Sequence, residues 1–270
     1  MDWFSTIHPV YQGLLATIFT YGITMLGASL VFFFKNINQK LLDVMMGFAA
    51  GVMIAASFWS LLNPAIILAE KLGKNAAVTA SVGFILGSLF IMASDIMLQN
   101  KKQFMKEDKD SAKENTKGFK RCVLLTTAVT MHNIPEGMAV GVAFGCVALQ
   151  QSDATLMGAV MLALGIGIQN FPEGTCVAMP LRREGVSRLK SFFIGQASGI
   201  VEPIAGVLGV VFALKAQAIL PVVLSFSAGA MISVVCSELI PESFLDNKQL
   251  ASIGVSVGFT VMMFLDVILG

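Results

Sequence analysis

Eight apolar runs, each about 20 residues or longer and separated by short polar stretches, decide what this chain can become. They read as helical spans at 11–34, 43–67, 75–98, 121–149, 155–180, 189–213, 218–240 and 250–269. A helix rises about 1.5 Å per residue, so roughly 20 residues cross a hydrocarbon core about 30 Å thick. A soluble domain is excluded. The chain is 56% hydrophobic and 13% charged, with a mean hydropathy of +0.78, whereas an average soluble chain carries about 25% charge. The fold class is therefore an all-α integral membrane protein of eight helices, one transmembrane domain over 1–270. Met1 to Val10 lacks a basic leader, so the first run is expected to stay as a permanent span. Cys122, Cys146, Cys176 and Cys236 fall inside apolar segments and form no paired framework.

Basic residues fix the orientation. The stretch 99–121 reads as a solvated cytoplasmic loop, rich in lysine and interrupted by acids. Connections after odd-numbered spans carry 15 of the 18 Lys and Arg residues; the other side holds Lys71, Lys74 and Lys215. Positive-inside bias puts both termini outside and the long loop in the cytoplasm of a multi-pass cell-membrane protein. No nucleic-acid partner is expected; the lipid bilayer is one.

Inside this apolar background one polar pattern occurs twice. His132-Asn133-Ile134-Pro135-Glu136-Gly137 in the fourth span matches Gln169-Asn170-Phe171-Pro172-Glu173-Gly174 in the fifth, 37 residues later. The two spans run in opposite directions, and paired Pro-interrupted segments point to a transporter's binding site. Glu202, followed by Pro203, adds a third acid near the middle of the sixth span. An acid at mid-bilayer costs on the order of 3 kcal/mol even by lenient measures. No Lys or Arg lies near the centre of any span, so the counter-charge must be protons or bound cations.

Helical geometry favours cations. Residues at i, i+1 and i+4 share a sector of about 100°, so His132, Asn133 and Glu136 form one donor face and Gln169, Asn170 and Glu173 another. Pro135 and Pro172 lack N–H groups and free the carbonyls of Met131 and Ile168. Gly137, Gly141 and Gly145 admit a close neighbouring helix. Imidazole with carboxylates suits zinc, iron, cobalt, nickel or manganese, whereas an all-oxygen set would suit magnesium or calcium. A lone membrane histidine is commonly a helix-to-helix hydrogen-bond donor, and Cys176 reads as a small apolar filler before a soft ligand. The repeated register outweighs the first of these. Two other functions compete with this reading: a proton-linked carrier of an organic substrate, and an intramembrane metal-dependent hydrolase. The first leaves the repeated donor face unexplained; the second lacks the H-E-x-x-H helix.

These motifs resemble those of the ZIP (Zrt-/Irt-like) divalent metal transporters, bacterial type, over nearly the whole chain. The second span, Asp43 to Ser60, is also similar to bacterial relatives. The resemblance implies a transporter and not an enzyme, with Zn2+ as substrate (Cd2+, Fe2+, Mn2+, Co2+ or Ni2+ as alternatives) and no organic cofactor. It further implies a 3+2+3 helix arrangement with inverted repeats, a homodimer, and a binuclear site. One ion would use Met53, His132, Glu136, Gln169 and Glu173; the other Asn133, Glu136, Asn170, Glu173 and Glu202. Ser60 would line the outer pathway, Asp43 and Glu238 the cytoplasmic exit. Two positions depart from the family pattern. Ser237 replaces a histidine before Glu238, and Asn170 replaces an aspartate of some bacterial relatives, so the second ion should bind more weakly.

Overall fold

The structure, a computed structural model, describes residues 2–34, 38–107, 114–150, 154–183 and 185–269; within these, the side chains of 2, 95, 98–125, 128, 132, 180, 183 and 269 lie outside the description. The described residues contain no strand. In chain order the helices are α1 (Asp2–Thr6), α2 (Pro9–Ala28), α3 (Gln39–Ala56), α4 (Asn63–Lys71), α5 (Ala76–Glu107), α6 (Glu114–Ala148) and α7 (Leu156–Arg183). They continue with α8 (Arg188–Ala197), α9 (Val201–Lys215), α10 (Leu220–Val234), α11 (Ile240–Ser243) and α12 (Lys248–Leu269).

Six helical segments among the described residues are long and apolar enough to cross a membrane: Pro9–Phe32, Gln39–Lys71, Ala76–Ser94, Arg188–Lys215, Gln217–Ser243 and Lys248–Ile268. Helices α6 and α7 pack among them. The expected loop 99–121 is entered by helix from both sides, α5 running to Glu107 and α6 starting at Glu114. Its side chains, and residues 108–113 entirely, fall outside the described residues.

Burial is inverted relative to a soluble protein. Large apolar side chains such as Leu15, Ile18, Ile85, Leu89, Ile204 and Leu208 are exposed, while Asp43, Glu136, Gln169, Asn170 and Glu202 are fully buried. Exposed apolar patches of this extent fit a lipid surface.

The helices pair in a mirrored pattern. Helix α3 lies along α12 as α10 lies along α5, and α6 lies along α9 as α7 lies along α2. Glycine sets the closeness, as small residues do where lipid removes the usual hydrophobic drive. A Cβ on Gly141 of α6 would sit 1.9 Å from the carbonyl oxygen of Gly206 on α9, so the expected close neighbour of the Gly137–Gly145 face is α9. Two bundles result: α2, α6, α7, α8 and α9 in one, α3, α4, α5, α10, α11 and α12 in the other. They meet where α7 packs on α3 and α12, and α6 on α10 and α5.

The segments Gln39–Lys71 and Gln217–Ser243 each contain a π turn, Ser57–Leu62 between α3 and α4 and Val235–Leu239 between α10 and α11. The cause is local. Pro64 and Pro241 cannot donate to the carbonyls four residues back, Ser60 and Ser237, and the chain widens to i→i+5 bonding. The sixth span breaks differently. Between α8 and α9, Gly199, Ile200 and Glu202 donate to carbonyls three residues back, and α9 then begins with Glu202 in its first turn. A carboxylate there lies at the positive end of the α9 dipole.

Candidate metal site

The two polar motifs face each other across α6 and α7. Glu136 is fully buried, and its Oε1 accepts from Gln169 Nε2 at 2.9 Å. Asn133, one turn earlier on α6, donates through Nδ2 to the Ser198 carbonyl at 2.9 Å, at the break between α8 and α9. The α6 turn carrying Glu136 rests on α9: a Cβ on Gly137 would lie 2.5 Å from the Glu202 carbonyl oxygen. Glu136 is near enough to feel the charges of Glu173 and Glu202, and Glu173 those of Glu202 and Glu238. Glu173 is 6% exposed.

Hydrogen bonding leaves a one-sided remainder. Asn133 Oδ1, Glu136 Oε2, Gln169 Oε1, Asn170 Oδ1 and Glu173 Oε2 are buried oxygens without a hydrogen-bond partner. Each comes from α6 or α7, and each is an acceptor. Leaving a buried acceptor unsatisfied costs about 1–3 kcal/mol, more for a charged group. Protein interiors tolerate few such groups, and five on the two motifs of α6 and α7 are oxygens of the kind a cation takes. Among the described residues no three His, Cys, Asp or Glu side chains form a closed metal-binding group. Amides stand between the acids instead, Gln169 on Glu136 and Asn170 on Glu202. A side-chain amide carries a donor and an acceptor and exchanges them by half a turn.

Glu202 is arranged differently from Glu136. Asn170 Nδ2 lies 2.9 Å from both of its oxygens. Thr20 Oγ1 donates to Oε2, and Thr24 Oγ1 stands 3.4 Å from Oε1. Both threonines are on α2 and fully buried.

The remaining expected residues are placed as follows. His132 lies on α6, and its side chain is outside the described residues. Met53 is fully buried on α3, the helix that packs against α7. Asp43, also on α3, is fully buried; its Oδ1 accepts from Gln39 Nε2 at 3.1 Å and its Oδ2 has no partner. Ser60 and Glu238 sit in the two π turns. Ser60 Oγ donates to Asp266 Oδ1 at 2.7 Å. Both line a cavity of about 240 Å³ that is also bordered by Trp59, Asn63, Cys146 and Thr155.

Sequence reasoning missed Thr20, Thr24 and Asp266. Thr17, Thr20 and Thr24 recur at helical spacing on the buried side of α2, and that polar stripe within an apolar run was the available signal. Asp266 was a single acid near the end of the last span.

Residues 98–266 match the family model described as ZIP Zinc transporter. The chain is 40% identical to the Zinc transporter ZIP11 of Xenopus tropicalis, over 97% of this chain and 98% of that protein. It is 34% identical to the Zinc transporter GufA of Myxococcus xanthus, over 96% and 99%. With the Zinc transporter ZIPB of Bordetella bronchiseptica it shares 33% identity, over 93% and 79%.

Proposed function

The chain belongs to the ZIP zinc transporter family, and on that premise we propose that it carries zinc toward the cytoplasm through a site held between α6, α7 and α9. It is a transporter, not an enzyme, and the divalent metal is its substrate. The observation that carries the site is the set of five buried, unpartnered acceptor oxygens on α6 and α7.

The first ion takes Glu136, Gln169 and Glu173 with His132 and Met53. Gln169 turns its Oε1 inward, releasing Glu136 Oε1, so that donors holding the carboxylate in the absence of zinc give way to acceptors in its presence. The second ion takes Asn133 and Asn170 through their oxygens, with Glu202, and shares Glu136 and Glu173. Zinc arrives through the cavity at Ser60 and Asp266 and leaves past Asp43 and Glu238. Positive-inside bias, with both termini outside, supports an outer position for the Ser60–Asp266 cavity and a cytoplasmic position for Asp43 and Glu238. Eight spans arranged 3+2+3 account for the mirrored helix pairing and for the matched π turns in the second and seventh.

The test is radioactive zinc uptake into proteoliposomes by the wild type and by Glu136→Ala. Uptake that depends on Glu136, with both proteins inserted equally, supports the reading. Uptake by Glu136→Ala at the wild-type rate rejects the shared site.

A further inference from the structure

We propose that Thr20 and Thr24 of α2 are positioning residues that govern the second ion position, by holding Glu202 when no ion is there and releasing it when one arrives. The inference rests on the reading of the site just given. It starts from the number of hydrogen bonds a carboxylate can accept. Two oxygens offer about four lone-pair directions. On Glu202, Oε2 faces Thr20 Oγ1 and Asn170 Nδ2, and Oε1 faces the same Asn170 Nδ2 with Thr24 Oγ1 at 3.4 Å. A cation therefore meets a donor at both oxygens of this carboxylate, whereas Glu136 and Glu173 each present one unpartnered oxygen.

The threonines can let go without leaving a hydroxyl unbonded, at the cost of exchanging a charged acceptor for a neutral one. A hydroxyl has one proton, and each of these has a second acceptor in reach. Thr20 Oγ1 lies 3.0 Å from the Thr17 carbonyl, and Thr24 Oγ1 lies 3.3 Å from the Thr20 carbonyl. Rotating the O–H from Glu202 to its own helix backbone keeps the hydroxyl bonded and frees one lone pair on each carboxylate oxygen. Asn170 has the matching alternative: its Nδ2 is 3.3 Å from the Thr20 carbonyl, and its Oδ1 is unpartnered. Three donors from α2 and α7 thus exchange partners together when the cation takes their place. Gly199 leaves room for this arrangement: a Cβ there would lie 3.0 Å from both Glu202 Oε1 and Thr24 Oγ1.

The threonines consequently stabilise the ion-free second position and weaken zinc there without touching zinc. Thr20→Val and Thr24→Val keep the branched shape and remove the donors. A hydrogen bond to a charged group is worth enough that the second binding step should tighten roughly tenfold in the double variant. The first step should be unchanged, because Glu136 and Gln169 do not contact α2 hydroxyls. Thr20→Ser with Thr24→Ser keeps the hydroxyls and should restore wild-type values.

The experiment is stepwise zinc binding to purified protein by calorimetry, on wild type, both single valine variants, the double valine variant and the double serine variant. A second step tightened in the valine variants and restored by serine supports the proposal. A second step unchanged in the valine variants, or both steps shifting together, overturns it. A Glu136→Ala control separates this failure from failure of the site reading. If wild-type zinc binding survives that change, the site itself is misread; if binding needs Glu136 and the valine variants behave as wild type, only the threonine role is wrong.

Discussion

Glu136 and Glu202 are both fully buried acids at the centre of the molecule, each held by an amide from α7, yet their surroundings differ. Gln169 reaches one oxygen of Glu136 and leaves the other unpartnered. Adjacent Asn170 reaches both oxygens of Glu202, and α2 adds two hydroxyls. Glu202 also has the N-terminal end of α9, where backbone N–H groups favour negative charge. One carboxylate is left wanting a cation; the other has been given neutral substitutes for one. Formal charge alone would rank them equal. Local donors rank them apart, and in the proposed site the position at Glu136 is the one prepared for zinc.

The sharpest way to break this contrast is Glu136→Gln, which removes an ion-facing charge while keeping the size. Zinc uptake into proteoliposomes should fall about a hundredfold, since losing roughly 2.7 kcal/mol of ion stabilisation costs two decades. Uptake within threefold of wild type would place Glu136 outside the ion path. Asn170→Asp acts on the other side of the comparison. It deletes the donor that spans both Glu202 oxygens and adds a charge beside them, so zinc at the second position should bind about tenfold tighter and turnover should slow. Calorimetry with radiometal uptake reads both, and no change in either would mean that Asn170 faces no ion.

Smaller effects belong to the proposed approach path. Ser60→Ala removes the donor to Asp266 Oδ1. We expect KM for zinc to change by about threefold with kcat unaffected, the scale of one hydrogen bond at a partly hydrated site. A loss of kcat instead would assign Ser60 to a step after binding. The smallest expected effect is that of Glu202→Gln on the first ion. Its affinity should fall by no more than about threefold, because Glu136 feels the Glu202 charge while no donor is shared between the two carboxylates. A larger loss would show that the two carboxylates act as one unit.

Much of the fold could be read from the chain because a bilayer demands long apolar helices, and the runs at Pro9–Phe32 and Lys248–Ile268 announce themselves. The site motifs were legible for the same reason: His132, Glu136, Gln169 and Glu173 are conspicuous in apolar runs, and the second motif repeats the first. The π turns were harder to foresee. Pro64 and Pro241 disfavour ordinary helix bonding, but whether a helix kinks, breaks or widens depends on its neighbours. Thr20 and Thr24 were not legible as partners of Glu202. Threonine commonly bonds to its own helix backbone in a membrane, and the contact from Thr20 to Glu202 joins residues 182 apart in sequence. Asp266 stayed hidden likewise, since its partner Ser60 is 206 residues away.

The asymmetry between the two carboxylates is tested most directly by equilibrium binding of radioactive zinc to the purified protein, at one equivalent, for wild type, Glu136→Gln and Glu202→Gln. The account predicts that the first ion is lost in Glu136→Gln and retained in Glu202→Gln. Binding that survives Glu136→Gln and vanishes in Glu202→Gln would contradict it.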